Sequence, residues 1–325
     1  MRNLSSNITL NRPQAHKVDK VACIGTGTIG GAWVAHFLRR GYQVRAWDKS
    51  ADTQGRLRQS IETLWPTLEA LGLAPGASVE KLTLSPSLES ALEDVAFVQE
   101  SVFEDMTLKI ETLSLIDALA NRQAVIASST SGFSMTDMQT ACTHPERTVV
   151  GHPFHPVYMI PLVEVVPGEK TDNATVDWAM SFYAASGKSP VKARDGVYGY
   201  IANRLQLALW NEALHMVAAG EASVADIDRA VAEGPGLRWA MHGPSLTFHL
   251  AGGPGGIYDY VEKKSAAVRY DPYSRLAPPL FDKKLINALV EGCEEQAHGK
   301  SVEKLSTERD RFLIELLRLK EQMLK

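Results

Sequence analysis

The stretch from Val21 to Asp48, VACIGTGTIGGAWVAHFLRRGYQVRAWD, limits what the chain can fold into more than any other part of it. A short apolar strand runs into Gly25, Gly27 and Gly30. A helical pattern follows, and a second strand, Tyr42 to Trp47, closes on Asp48. Strand, glycine turn, helix, strand and acid in this order form the fingerprint of a dinucleotide-binding βαβ unit. Each position has a physical task. Gly25 permits the tight turn, Gly27 lets a pyrophosphate approach the backbone, and Gly30 lets the helix pack close to the strand. The helix N-terminus, at Thr28 and Ile29, offers free N–H groups and a positive dipole end to the phosphates. Asp48 is spaced to accept hydrogen bonds from the adenosine ribose. Its charge repels a 2′-phosphate, which predicts NAD rather than NADP despite the adjacent Lys49. A glycine turn without a ligand would need neither the second strand nor the acid.

With 325 residues there is room for two domains of ordinary size. An apolar content of 45% and a charged content of 22% fit a globular protein. A net charge of -4 and a pI near 6.2 give no electrostatic case for nucleic acid or an anionic membrane. The opening segment MRNLSSNITLNRPQAHKVDK lacks the apolar core of a signal peptide, and no run approaches membrane-spanning length. Cys23, Cys142 and Cys293 form neither a disulfide framework nor a metal motif. No metal and a reducing, cytoplasmic compartment are therefore expected.

Residues 1–18 read as a loose polar leader. From 19 to 195 strands and helices alternate, which predicts an open, mostly parallel Rossmann-type sheet covered on both faces. Expected strands after the first βαβ unit are Lys81 to Leu84, Val95 to Gln99, Ala124 to Ala127, Thr148 to His152, Leu162 to Val166 and Pro190 to Lys192. Expected helices are Thr53 to Leu73, Lys109 to Ala120 and Thr175 to Ser186. In the second of these Ile110, Leu113, Leu115, Ile116 and Leu119 suggest an apolar stripe. From 196 to 325 the pattern is helical: a run from Tyr200 to Ala219, a shorter one from Ser223 to Ala232 capped by Ser223, a Gly/Pro-rich stretch, and a final run from Ser301 to Leu324. An α/β domain followed by an all-helical domain is the expected architecture. In the last helix Leu305, Phe312, Leu313, Leu316, Leu317 and Leu324 suit either its own domain or a dimer contact.

A nicotinamide accepts hydride, so a dehydrogenase must also remove a proton from the substrate hydroxyl. Histidine is the usual base. Of nine histidines, His152 and His155 follow a strand in RTVVGHPFHPVYMIPLVEVV, at the carboxyl edge where ligands of open α/β sheets gather. Glu164 lies inside the apolar strand LVEVV, where an acid is costly unless paired. A histidine partner would satisfy it, and the carboxylate would orient the imidazole and stabilise the imidazolium. A buried structural ion pair is the alternative for the same residues.

Several separated motifs resemble the 3-hydroxyacyl-CoA dehydrogenase family over roughly residues 19–260. The resemblance implies an N-terminal Rossmann domain, a helical C-terminal dimerisation domain and a homodimer. GHPFHPVYMIPLVEV is similar to the family's His-to-Glu signature and implies His152 as base with Glu164 as its partner. SSTSG implies a substrate-contacting hydroxyl at Ser131, and IANRL implies Asn203 as a second ligand of the substrate oxygen. ESVFEDMTLK implies Glu104 and Lys109 near the nicotinamide half of the cofactor. Two departures bear on the substrate: His155 and Ser129 stand where the family commonly has Asn. Between Ser50 and Glu80 there is no lysine, only Arg56 and Arg58, where the family's CoA-binding helices are lysine-rich. Residues 234–253, GPGLRWAMHGPSLTFHLAGG, are most similar to the branch that oxidises the 3-hydroxyl of L-carnitine to 3-dehydrocarnitine with NAD. A trimethylammonium group is recognised by aromatic faces. Phe154, Trp239 and Phe248, then Tyr258, are the candidates, with Trp239 and Phe248 equally suited to a core. Arg238 is the candidate for the carboxylate, or a partner for Glu233. The alternatives are 3-hydroxyacyl-CoA oxidation, L-gulonate oxidation as in the lambda-crystallin branch, and a non-catalytic NAD-binding protein.

Overall fold

In β1 (Lys20–Ile24), Val21 and Cys23 point to one side of a sheet and Ala22 and Ile24 to the other, and all four are fully buried. An unbroken apolar strand is buried on both sides only where helices cover both faces. The computed structural model, which describes residues 12–240, 243–263, 283–284, 287 and 297–323, has that arrangement. The other strands are β2 (Gln43–Trp47), β3 (Leu82–Leu84), β4 (Phe97–Glu100), β5 (Val125–Ser128), β6 (Thr148–Pro153), β7 (Leu162–Pro167) and β8 (Ser189–Lys192). They form one sheet in the order β3-β2-β1-β4-β5-β6-β7-β8. Every pairing is parallel except β6 with β7, which is antiparallel. The first six strands thus have the doubly wound order of a dinucleotide-binding sheet.

The helices in this part are α1 (Thr28–Arg39), α2 (Ala51–Ala70), α3 (Leu88–Leu92), α4 (Met106–Leu119), α5 (Met135–Met138) and α6 (Asn173–Ala185). One face of the sheet buries an aromatic cluster built from Trp33 and Phe37 of α1, Phe97 of β4, and Phe182 and Tyr183 of α6. The other face packs Leu92, Leu113, Ile116, Met135 and Met138 under α3, α4 and α5.

Three expectations are corrected. Leu115 and Leu119 are 55% and 41% exposed and do not belong to the buried stripe of α4. That face instead buries Lys109, Thr112, Leu113, Ile116 and Asp117. Lys109 pairs with Glu100 on β4, and Asp117 accepts from Arg147 Nε at 2.9 Å. Apolar periodicity misses charged residues whose partners lie on other elements. The strand expected from Lys81 begins at Leu82, because Lys81 ends a short 3₁₀ turn and its ammonium donates to the Gly41 carbonyl at 2.8 Å. Residues 12–18 are not loose. Trp178 Nε1 donates to the Pro13 carbonyl at 2.8 Å, Arg12 Nε to the Gln123 carbonyl at 3.2 Å, and Ala15 and Val18 are buried. Residues 1–11 lie outside the described part.

The chain divides into two units, Met1–Ala202 and Asn203–Lys325. Among its described residues the second unit is helical: α7 (Ala202–Ala219, whose first residue closes the first unit), α8 (Val224–Glu233), α9 (Pro235–Trp239), α10 (Pro244–Ala251), α11 (Gly256–Lys263) and a C-terminal helix, Val302–Met323. Ser223 caps α8 by accepting from Asp226 N at 3.1 Å. The Gly/Pro-rich stretch 234–256 is cut into short helices, with Pro235 and Pro244 each in a first turn, where a missing N–H costs nothing. Leu214 is buried, whereas Leu205, Trp210, Leu237, Leu250, Phe312 and Met323 are each more than half exposed.

Candidate active site

Gly25 has a φ of +84°, and a side chain there would run into the Ser101 backbone. A side chain at Gly30 would run into the Gly25 carbonyl. Both residues let the turn after β1 close tightly under the start of α1. A Cβ at Gly27 would meet only open space. Gly27 also caps α1 without a side-chain bond, so the N–H groups of the first turn are free for an anion. Asp48, at the end of β2, is held by its own turn. Its Oδ2 accepts from Thr26 N at 2.7 Å and its Oδ1 from Ser50 N at 2.8 Å. A cleft of about 900 Å³ starts here, lined by Gly25, Gly27, Thr28, Ile29 and Asp48, with Trp47, Leu88, Leu108 and Leu115 as an apolar wall. A bare turn, free helix amides, a fixed carboxylate and a greasy slot are the parts a dinucleotide needs.

The cleft continues over the exits of β4 and β5 to Glu104, Lys109, Ser129, Ser131 and His152. Glu100 and Lys109 form a buried pair at 3.0 Å, and the ammonium also donates to the Val102 carbonyl at 3.3 Å. Glu100 accepts further from Val102 N at 2.6 Å and from the Ser128 hydroxyl. Lys109 lies 3.4 Å from Glu104, whose Oε1 accepts from the Thr130 hydroxyl and from Ser131 N at 3.2 Å. The loops after β4 and β5 are thereby tied into one floor. Breaking a pair this deeply buried strands a charge and costs about 3–5 kcal/mol. Glu100 was not singled out from the sequence. The signal for it was an acid closing an apolar strand with a lysine nine positions on.

At the far end of the cleft the register of the antiparallel pair sets His152 directly opposite Glu164. Opposed residues share a face with Cβ atoms about 5 Å apart. His152 Nδ1 lies 2.8 Å from Glu164 Oε2. Glu164 has no exposed surface, and its Oε1 accepts from Ile201 N and Ala202 N, both at 2.9 Å. The carboxylate so holds the last two residues of the first unit. Burial pushes the Glu164 carboxyl up. The hydrogen bonds from His152, Ala202 and Ile201 outweigh burial and hold it below the usual range. With Nδ1 engaged, Nε2 is the ring nitrogen left for chemistry. Tyr200, also missed in the sequence, walls the imidazole at a ring distance of 5.5 Å and donates its hydroxyl to the Phe133 carbonyl at 2.9 Å. Burial pushes that phenol up, so it stays protonated.

Of the other candidates, Phe154 is half-buried with its ring edge-on to His152 at 5.6 Å. Asn203 follows Ala202 directly and belongs to the second unit. Arg238 is exposed there, and Trp239 and Phe248 are 40% and 46% exposed rather than core, Phe248 lying 5.0 Å from the Tyr260 ring. Ser129 lines the cleft, but its hydroxyl is occupied by protein partners. Burial pushes the Cys23 thiol up and the Cys142 thiol up to about 12, so neither supplies a thiolate near neutral pH. Among the described residues there is no cluster suited to a metal ion, and no helix is long and apolar enough to cross a membrane.

A dinucleotide cleft ending in a histidine–carboxylate pair defines an NAD-dependent dehydrogenase of a secondary alcohol. The chain belongs to the 3-hydroxyacyl-CoA dehydrogenase family: residues 20–196 match its NAD-binding-domain model and residues 199–293 its C-terminal-domain model. It is 55% identical to the L-carnitine dehydrogenase of Streptomyces coelicolor over 93% of this chain and 94% of that one. Identity to the L-carnitine dehydrogenase of Pseudomonas putida is 40%, over 94% and 95% of the two chains. Among solved structures, an NAD-dependent 5-formyl-3-hydroxy-2-methylpyridine 4-carboxylic acid 5-dehydrogenase superposes with a TM-score of 0.78 at 29% identity, covering 94% of this chain and 99% of that one.

Proposed function

We propose that this enzyme oxidises the 3-hydroxyl of L-carnitine to 3-dehydrocarnitine with NAD, with His152 as the general base. The observation that carries the mechanism is the 2.8 Å bond between His152 Nδ1 and Glu164, in the same cleft as the glycine turn. The substrate assignment is supported by 40–55% identity to L-carnitine dehydrogenases over nearly the whole chain. Bound NAD supplies the hydride acceptor. Gly25 to Gly30 hold its phosphates and Asp48 its adenosine ribose, while Glu104 and Lys109 approach its nicotinamide half. Ser131 and Asn203 orient the substrate oxygen. His152 Nε2 takes the hydroxyl proton, and Glu164 supports the imidazolium that results. In reverse His152 returns the proton. Because oxidation releases a proton, it runs faster at alkaline pH. Phe154, Trp239 and Phe248 suit a trimethylammonium group, which offers no hydrogen-bond donor and favours aromatic faces. Arg238 suits the carboxylate.

Residues 19–195 serve as the NAD-binding domain and 196–325 as the substrate and dimerisation domain of a cytoplasmic homodimer. The exposed apolar side chains of the helical unit support that assembly. CoA is disfavoured on α2: Arg58 donates to the Leu82 carbonyl at 3.1 Å, which leaves Arg56 as the other arginine of that helix. The test is an initial-rate screen of NADH formation on L-carnitine, D-carnitine, 3-hydroxybutyryl-CoA and L-gulonate, expecting turnover on the first. His152→Gln should lower kcat by roughly 10²–10⁴ while NADH still binds. Turnover within a few-fold of wild type would remove His152 from the mechanism, and no turnover on any substrate would leave an NAD-binding protein.

A further inference from the structure

Ser129 Oγ sits at the centre of a polar hub beneath the cleft. It accepts from Trp33 Nε1 at 3.2 Å and from Gln99 Nε2 at 2.8 Å, and lies 2.7 Å from Ser101 Oγ. The amide of Gln99 has its orientation set from two sides. Its Oε1 accepts from the Tyr183 hydroxyl at 2.7 Å, and its Nε2 also faces the Gly151 carbonyl, an acceptor only, at 3.4 Å. Burial pushes the Tyr183 phenol up, so it keeps the proton it donates.

A serine hydroxyl has two acceptor lone pairs and one hydrogen. Trp33 and Gln99 use both lone pairs of Ser129, so the hydrogen between the serines is Ser129's and Ser101 Oγ accepts it. The Ser101 hydrogen is then left over for another partner, and Ser101 lines the cleft. Its position is fixed. Ser101 N donates to the Ile24 carbonyl at 2.7 Å, and its Cβ lies 3.2 Å from where a side chain at Gly30 would begin. On one side is the glycine turn, and on the other are Ser129, Ser131 and His152.

We infer that Ser101 is a cofactor-binding residue whose hydroxyl donates to the dinucleotide on its nicotinamide side, at the ribose that joins the pyrophosphate to the nicotinamide. This rests on the reading of the cleft as an NAD site. Ser129, in contrast, holds the wall in place and has no hydrogen left for the ligand.

Four binding probes and a thermal melt on the full chain separate these roles. Ser101→Ala should weaken NADH and ADP-ribose, which both contain that ribose, about two- to tenfold, with ADP and AMP unchanged and a smaller drop in melting temperature than Ser129→Ala, since only the Ser129 hydroxyl loses a partner. Ser129→Ala should lower the melting temperature, because Trp33 and Gln99 lose an acceptor. Ser101→Thr, which keeps the hydroxyl, should bind NADH more tightly than Ser101→Ala. Equal NADH affinity in wild type and Ser101→Ala would overturn the assignment, and so would an equal loss for ADP, which would move the contact to the pyrophosphate. Wild-type protein that binds NADH but leaves L-carnitine untouched would count against the proposed substrate and not against Ser101.

Discussion

Glu164 is a fully buried charge whose two oxygens are matched by three donors: the His152 imidazole and the N–H groups of Ile201 and Ala202. The acid visible inside the apolar run LVEVV thus holds both the His152 imidazole and the backbone of Ile201 and Ala202. Glu164→Gln keeps the shape and removes the charge, so kcat should fall by roughly 10²–10⁴ with NADH binding retained. Its effect on stability has a defined sign. The carboxyl is held below its ordinary 4.5 in the fold. It therefore contributes stability above about pH 4.5, lost as pH falls through the lower folded value. The stability gap between wild type and Glu164→Gln, measured by denaturant titration, should narrow from pH 6 to pH 4. A gap independent of pH would mean that the charge is not what stabilises. At this scale chemistry-bearing residue types were legible in the sequence, because a polar residue in an apolar run stands out. Ser101, Gln99 and Tyr200 were not legible, because nothing local distinguishes them from solvent-facing or core positions.

The segment from Phe154 to Pro161 joins β6 to β7 and so carries the reversal that brings His152 and Glu164 together. Lys188, between α6 and β8, pins it. Its ammonium donates to the Val157 carbonyl and, at 3.0 Å, to the Ile160 carbonyl, and lies 5.0 Å over the Trp33 ring. Burial, then the charge of Arg39, lowers its pKa from 10.5 to about 7. Between those values the unfolded chain binds more protons than the fold, so stability rises with pH across that window, by on the order of a few kcal/mol. Lys188→Met lacks this dependence. Wild type should therefore gain on the variant as denaturant midpoints are followed from pH 7 to pH 9. Parallel curves would show that the ammonium is not desolvated. His36 acts in the same sense at lower pH: burial, then Lys188, Arg39 and Arg40, hold its pKa well below 6.5. Element types were readable from periodicity. The buried face of α4 departs from its apolar stripe because Lys109 and Asp117 are buried against partners on other elements.

For the whole chain, the helical unit leaves Leu205, Trp210, Leu237, Leu250, Phe312 and Met323 largely uncovered. Analytical ultracentrifugation should give about twice the 35.6 kDa chain mass, and a monomer at micromolar concentration would leave that surface to another partner. The βαβ turn, the place of Asp48, the mostly parallel sheet and the change to helices are already written in the order of residues, because they follow from backbone freedom at glycine and from periods of two and 3.6 residues. That β7 runs against β6, that the register opposes His152 and Glu164, and that Lys109, Asp117 and Gln99 are buried emerges only in the folded chain. The loop from Phe154 to Pro161 and the packing around it set that direction and register, and the period of the strands does not specify either. A polar group is buried only where a partner on another element meets it, and apolar periodicity does not mark that partner.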